Sequence, residues 1–141
     1  MTAIPSAIPF ALSAAVSLAP YAALLALIYV YLAFRVIKAR YRAKAALGTA
    51  GDAGLERAVR VHGNFAEYVP FALLLILLVG LTGWSVWAVH GLAALLLAAR
   101  LLHAYGVSQS DENLNYRKLG MIGTFTVFVV CAILLLIKGI F

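Results

Sequence analysis

Three sets of polar residues interrupt otherwise apolar stretches of this 141-residue chain. The first is Arg57, Arg60, Asn64 and Glu67. On a helix turning about 100° per residue, Arg60, Asn64 and Glu67 fall within about 60° of one another, and Arg57 borders that arc. They form a stripe about 10 Å long, flanked by Tyr68, while His62 points to the opposite side. The second set is Arg100 and His103, three residues apart and so on one face. The third is Arg117, followed on its face by Gly120, Met121 and Thr124. Guanidinium groups match carboxylates in paired hydrogen bonds, and a carboxylate accepts an ammonium group. This is chemistry for a small, anionic, zwitterionic ligand. It is not the pattern of a metal site, because no two histidines share a ligand spacing on one face. Cys131 is the one cysteine, which excludes an intrachain disulfide and any CxxC motif. Its place deep in an apolar run predicts a packing role.

The elements that position these residues follow from composition. The chain is 65% hydrophobic and 11% charged, with mean hydropathy +1.03. Soluble domains are about 45–50% apolar and about 25% charged, so a soluble globular protein is excluded. A spanning helix takes about 20 apolar residues, which predicts a single all-α integral membrane domain, residues 1–141, built as a four-transmembrane-helix bundle. The first span is expected over about 10–38. Residues 68–99 hold no Asp, Glu, Lys or Arg and are too long for one span. They break at Leu81-Thr82-Gly83-Trp84-Ser85, a short glycine-bearing turn with an interfacial tryptophan. That places the second and third spans at about 55–81 and 84–106. The fourth, about 117–138, contains an uncharged run bounded by Lys118 and Lys138.

Orientation follows from charge. Of a net +6, residues 35–60 contribute +5, from seven Lys and Arg against Asp52 and Glu56. A basic segment beside a span marks the cytoplasmic loop and contacts anionic lipid. No soluble basic domain exists to present that charge to nucleic acid. With the first loop (about 43–54) cytoplasmic, the third loop (107–116) lies on the same side, and both termini lie opposite. No Lys or Arg precedes Arg35, so the start lacks the basic region of a signal peptide. In this topology all three polar sets occupy the cytoplasmic ends of their helices. They are expected to enclose one pocket suited to glutathione, with apolar faces beside it for a lipophilic second molecule. Ionisable groups inside spans are functional-site hypotheses by default. Against this stand head-group snorkelling by Arg57, Arg100 and Arg117, and hydrogen-bond glue by Asn64 and Glu67.

The run Arg57-Ala-Val-Arg60-Val-His62-Gly63-Asn64-Phe65-Ala66-Glu67-Tyr68-Val69-Pro70 resembles the second-helix signature of the MAPEG family, the membrane-associated proteins in eicosanoid and glutathione metabolism. The resemblance continues through Ala99-Arg100-Leu101-Leu102-His103-Ala104-Tyr105-Gly106 and Asn115-Tyr116-Arg117-Lys118-Leu119-Gly120-Met121, and is strongest to the bacterial microsomal glutathione-S-transferase-like branch. It implies a homotrimer in a bacterial inner membrane, with glutathione as co-substrate bound between subunits. It also implies glutathione contacts at Arg40, Arg60, Asn64, Glu67, Tyr68, Arg100 and His103. Arg117 resembles the fourth-helix arginine that stabilises the glutathione thiolate. The implied activity is a transferase or peroxidase that turns this thiolate on a lipophilic electrophile or hydroperoxide, without a metal. Three departures, Gly63 in place of arginine, Val107 in place of tyrosine and Lys118 in place of serine, point away from prostaglandin synthesis. Two other readings compete. One is a non-catalytic lipid- or glutathione-binding protein of the same fold. The other is a small four-span exporter, which would want a lone carboxylate near the membrane midplane, whereas Glu67 sits beside Arg60 and Asn64 toward one end.

Overall fold

The computed structural model describes residues 7–109 and 114–140, all helical apart from short connections. The elements are α1 (Ala7–Ala43), α2 (Ala53–Leu81), α3 (Val86–Ser108) and α4 (Leu114–Ile140). Each is long and apolar enough to cross a membrane. Helices are what a bilayer demands, since each backbone N–H and C=O must be paired within the segment. Residues 110–113, which belong to the expected third loop, lie outside the described residues.

Helix ends follow local chemistry. Asp52 caps α2, its side chain accepting from the Leu55 N–H at 2.7 Å. Ser85 caps α3 through the Trp87 N–H at 3.2 Å. Between α2 and α3 the chain reverses at Gly83, whose φ of 82° is open to glycine and strained for other residues. The first helix runs five residues past Lys38, to Ala43. The reason is that Arg40 and Arg42 belong to its last turn, where cations complement the helix dipole. Arg40 then ties down the first connection, donating to the carbonyls of Ala45, Ala46 and Gly48 at 3.4, 3.2 and 3.1 Å.

The packing is an open array. α2 touches all three other helices, α3 and α4 form the closest pair, and α1 and α4 do not meet among the described residues. The buried faces are written in the sequence at helical spacing: Leu18, Leu25, Leu32 and Ala39 on α1, and Val61, Phe65, Val69, Ala72, Ile76 and Val79 on α2. α4 buries only slim residues, Gly120, Thr124, Val127 and Cys131. That lets it lie very close to α3. A Cβ built on Gly120 would stand 2.6 Å from the His103 Cβ and 2.7 Å from the Ala99 carbonyl oxygen, distances no side chain tolerates. Close approach through small residues is how membrane helices gain packing energy where lipid competes for apolar contact.

Candidate functional site

The site grows from a buried arginine. Arg100 is fully inaccessible, on the α3 face that meets α2 and α4. Its Nη2 donates to Asn64 Oδ1 of α2 at 2.6 Å and contacts His103 Nδ1 at 3.0 Å. Its Nη1 donates to Thr124 Oγ1 of α4 at 3.2 Å and lies 3.9 Å from Met121 Sδ. Thr124 Oγ1 in turn donates to the Gly120 carbonyl at 2.8 Å. The four Nη hydrogens thus face four acceptors, while Nε has no hydrogen-bond partner among the described residues. Among the described residues no carboxylate takes part. The charge is met by neutral dipoles and by the rings of Phe65 and Tyr68, 5.8 and 6.0 Å from the guanidinium carbon.

This arrangement fixes two neighbours. A guanidinium offers donors only. The Asn64 atom facing it is therefore the carbonyl oxygen, and the amide NH₂ is turned elsewhere. By the same logic His103 Nδ1 accepts, and Nε2 carries the ring proton. Asn64 and His103 both line a cavity of about 750 Å³ formed by α2, α3 and the start of α4. Ligand sites commonly run about 300–1,000 Å³. Arg100 presents the cavity with donors at second hand, through an oriented amide and an oriented imidazole.

The remaining wall is charged. Glu56, Arg57, Arg60 and Glu67 come from α2, and Arg117 from the first turn of α4. Among the described residues three guanidinium groups therefore face two carboxylates. Arg57 also donates to the Gln109 carbonyl at 3.2 Å, closing the C-terminal end of α3. At Arg117 the helix N-terminus adds to the positive potential. Of the residues singled out in the sequence, Arg57, Arg60, Asn64, Glu67, His103 and Arg117 share this cavity. Three of the expected glutathione contacts do not line it. Arg100 lies beneath the wall, Tyr68 packs edge-on against Phe125 at 5.7 Å, and Arg40 is bonded to its own loop. Glu56 is an addition. Its spacing of four from Arg60 continues the same helical face and was the signal available for it. His62 stacks on Tyr29 at 4.7 Å, on the α1 side of α2 and away from the cavity. His90 bonds the Tyr21 hydroxyl at 3.2 Å.

Comparison with known proteins agrees with this architecture. The sequence pattern of the MAPEG family matches residues 18–137, a range that includes every cavity residue. The chain is similar to inner membrane protein YecN of Escherichia coli strain K12, at 37% identity over 117 residues, covering 83% of this chain and 84% of that protein. The YecN protein of Escherichia coli O6:H1 matches to the same extent. The four spans make this an integral membrane protein, and the match along most of its length shows that the chain belongs to the MAPEG family.

Proposed function

We propose that this protein is a glutathione-dependent transferase or peroxidase acting on lipophilic molecules dissolved in the bilayer. The observation that carries the reading is the joint placement of Asn64, Glu67, His103 and Arg117 on one cavity with an excess of guanidinium groups. Glutathione has two carboxylates, an amine and a thiol. The arginines and the donors of Asn64 and His103 suit its carboxylates, and Glu56 or Glu67 suits its ammonium group. A free thiol, with pKa about 8.5, is mostly protonated at neutral pH, and an adjacent cation lowers that value. Arg117 is the group we assign to the sulfur. The thiolate attacks an electrophilic carbon, a C–S bond forms and the bond to the leaving group breaks. With a hydroperoxide, the thiolate takes the terminal oxygen as the O–O bond breaks, and the alcohol departs. A second glutathione then converts the sulfenic acid to disulfide and water.

The site is expected to be shared between subunits of a homotrimer. Arg60 and Glu67 are exposed on α2, and no hydrogen bond or ion pair engages either among the described residues. Charged groups facing lipid are costly, so a neighbouring copy is the natural cover. The same arrangement offers Arg40 and Tyr68 a route to the ligand. The basic segment at this end favours a cytosolic opening, and the kinship with YecN favours an inner membrane.

Titration calorimetry of the purified protein tests the reading, using glutathione, S-hexylglutathione and a thiol-free anionic peptide. Binding of the first two with turnover of a lipophilic electrophile is the expected result. Binding without turnover would leave a non-catalytic glutathione carrier. No binding of either would refute the proposal, and substrate accumulation in vesicles would then favour the exporter.

A further inference from the structure

A second polar groove lies on the opposite side of α2 from the cavity just described. It is formed by one stripe of α1, Tyr31, Phe34, Arg35, Lys38 and Arg42, resting on the small residues Gly54 and Ala58 of α2. Its volume is about 390 Å³, and it shares no lining residue with the larger cavity. The stripe residues recur at i, i+3, i+4, i+7 and i+11, so they stack along one line about 16 Å long. The line has a direction. Exposed aromatic rings, Tyr31 and Phe34, occupy the end toward the middle of the span, and three cations occupy the end toward the loop.

Among the described residues no acid lines the groove. The nearest in sequence are Asp52, which spends its side chain on the Leu55 N–H, and Glu56, which lines the larger cavity on the other side of α2. Arg35 gives one hydrogen bond, at 2.6 Å, to Ser108 Oγ and keeps further N–H donors. Lys38 and Arg42 are exposed. Three cations around one recess, with no counter-charge among the described lining residues, call for an anion. The apolar rings continuing from it into the bilayer call for that anion to carry hydrocarbon.

We propose that this groove binds an anionic phospholipid, with the phosphate held by Arg35, Lys38 and Arg42 and an acyl chain laid along Tyr31 and Phe34. Basic recesses between membrane helices are suited to acidic head groups, and each nearby cation strengthens such binding by about fivefold. The small floor made by Gly54 and Ala58 leaves room for the head group between the helices. The site is independent of glutathione, since α2 separates the two lining sets.

The test is native mass spectrometry of the full chain released from mild detergent, titrated with dioleoylphosphatidylglycerol or dioleoylphosphatidylcholine. The wild type should retain phosphatidylglycerol in preference to phosphatidylcholine. Lys38→Gln with Arg42→Gln should weaken phosphatidylglycerol binding about thirtyfold, while Lys38→Arg with Arg42→Lys should preserve it. Lys138→Gln, at the other end of the bundle, should leave it unchanged. Arg42 is exposed in the last turn of α1, so Arg42→Gln alone, with an expected loss of about fivefold, carries the test if the double variant fails to fold. Equal retention by wild type and the charge-neutralised variants would overturn the proposal. Displacement of the lipid by inorganic phosphate would show a soluble-anion site, and displacement by glutathione a part of the thiol site. Either result would overturn it as well.

Discussion

At the scale of single residues, function turns on which side chains meet the ligand and which hold those that do. Alanine at Arg60, Asn64 or Glu67 removes a partner of a charged ligand. Hydrogen bonds to charged groups are worth about 1.5–3 kcal/mol, so calorimetry should show glutathione affinity falling about ten- to hundredfold. His62→Ala should change it little, because His62 packs on Tyr29 across the helix. Loss of binding in His62→Ala with Asn64→Ala unaffected would invert the site. Arg117→Ala should act on rate more than on affinity. A guanidinium near sulfur does little for the neutral thiol and much for the thiolate, and losing such a stabiliser costs about 10²–10³ in kcat. The thiolate absorbance seen on mixing wild type with glutathione should fade in parallel, and Arg117→Lys should restore part of it. If Arg117→Ala lowered only yield or thermal stability, Arg117 would be an anchor to lipid head groups. Most of the cavity was legible in the sequence because helical periodicity alone puts Arg60, Asn64 and Glu67 on one face. The depth of Arg100 was not. Spacing places Arg100 and His103 together, but how closely a neighbouring helix covers them depends on the missing side chain of Gly120, seventeen positions beyond His103.

At the scale of elements, the contact between α3 and α4 decides the shape of the site. Gly120 is the point of closest approach, and it lies one turn before Thr124, which holds Arg100. Gly120→Leu should push the helices apart and lower stability by about 1–3 kcal/mol, the usual cost of overpacking. Thermal unfolding in detergent would measure it. Gly91→Ala is the control. Nothing lies within 4 Å of a Cβ at Gly91, so the change should be neutral or stabilising through helix propensity. Equal losses at both positions would show that the close approach is unimportant. Helix number and order were readable from apolar runs and from the break around Gly83. The ends were less so. The first span is expected to close near residue 38, whereas α1 runs to Ala43, because Arg40 and Arg42 favour a helix C-terminus and Arg40 gathers the carbonyls of the loop that follows.

At the scale of the whole molecule, the exposed Arg60 and Glu67 on a spanning helix argue for assembly. Mass measurement in mild detergent should find a trimer, and monomers alone in several detergents would count against a shared site. Composition does not bear on this expectation, since subunit number depends on faces and not on residue totals. The buried arginine also has a history in synthesis. A lone arginine at the centre of a membrane helix costs about 2.5–3.5 kcal/mol during insertion. Arg100 draws one interhelical partner, Asn64, from a helix made before its own, and another, Thr124, from a helix made after. When α3 leaves the ribosome it can dock on α2 at once, but its charge is fully sheltered only when α4 arrives. Chains halted after α3 should therefore hold that helix loosely, and ribosome-bound intermediates ending before and after Thr124 should differ in how readily α3 can be extracted from the membrane.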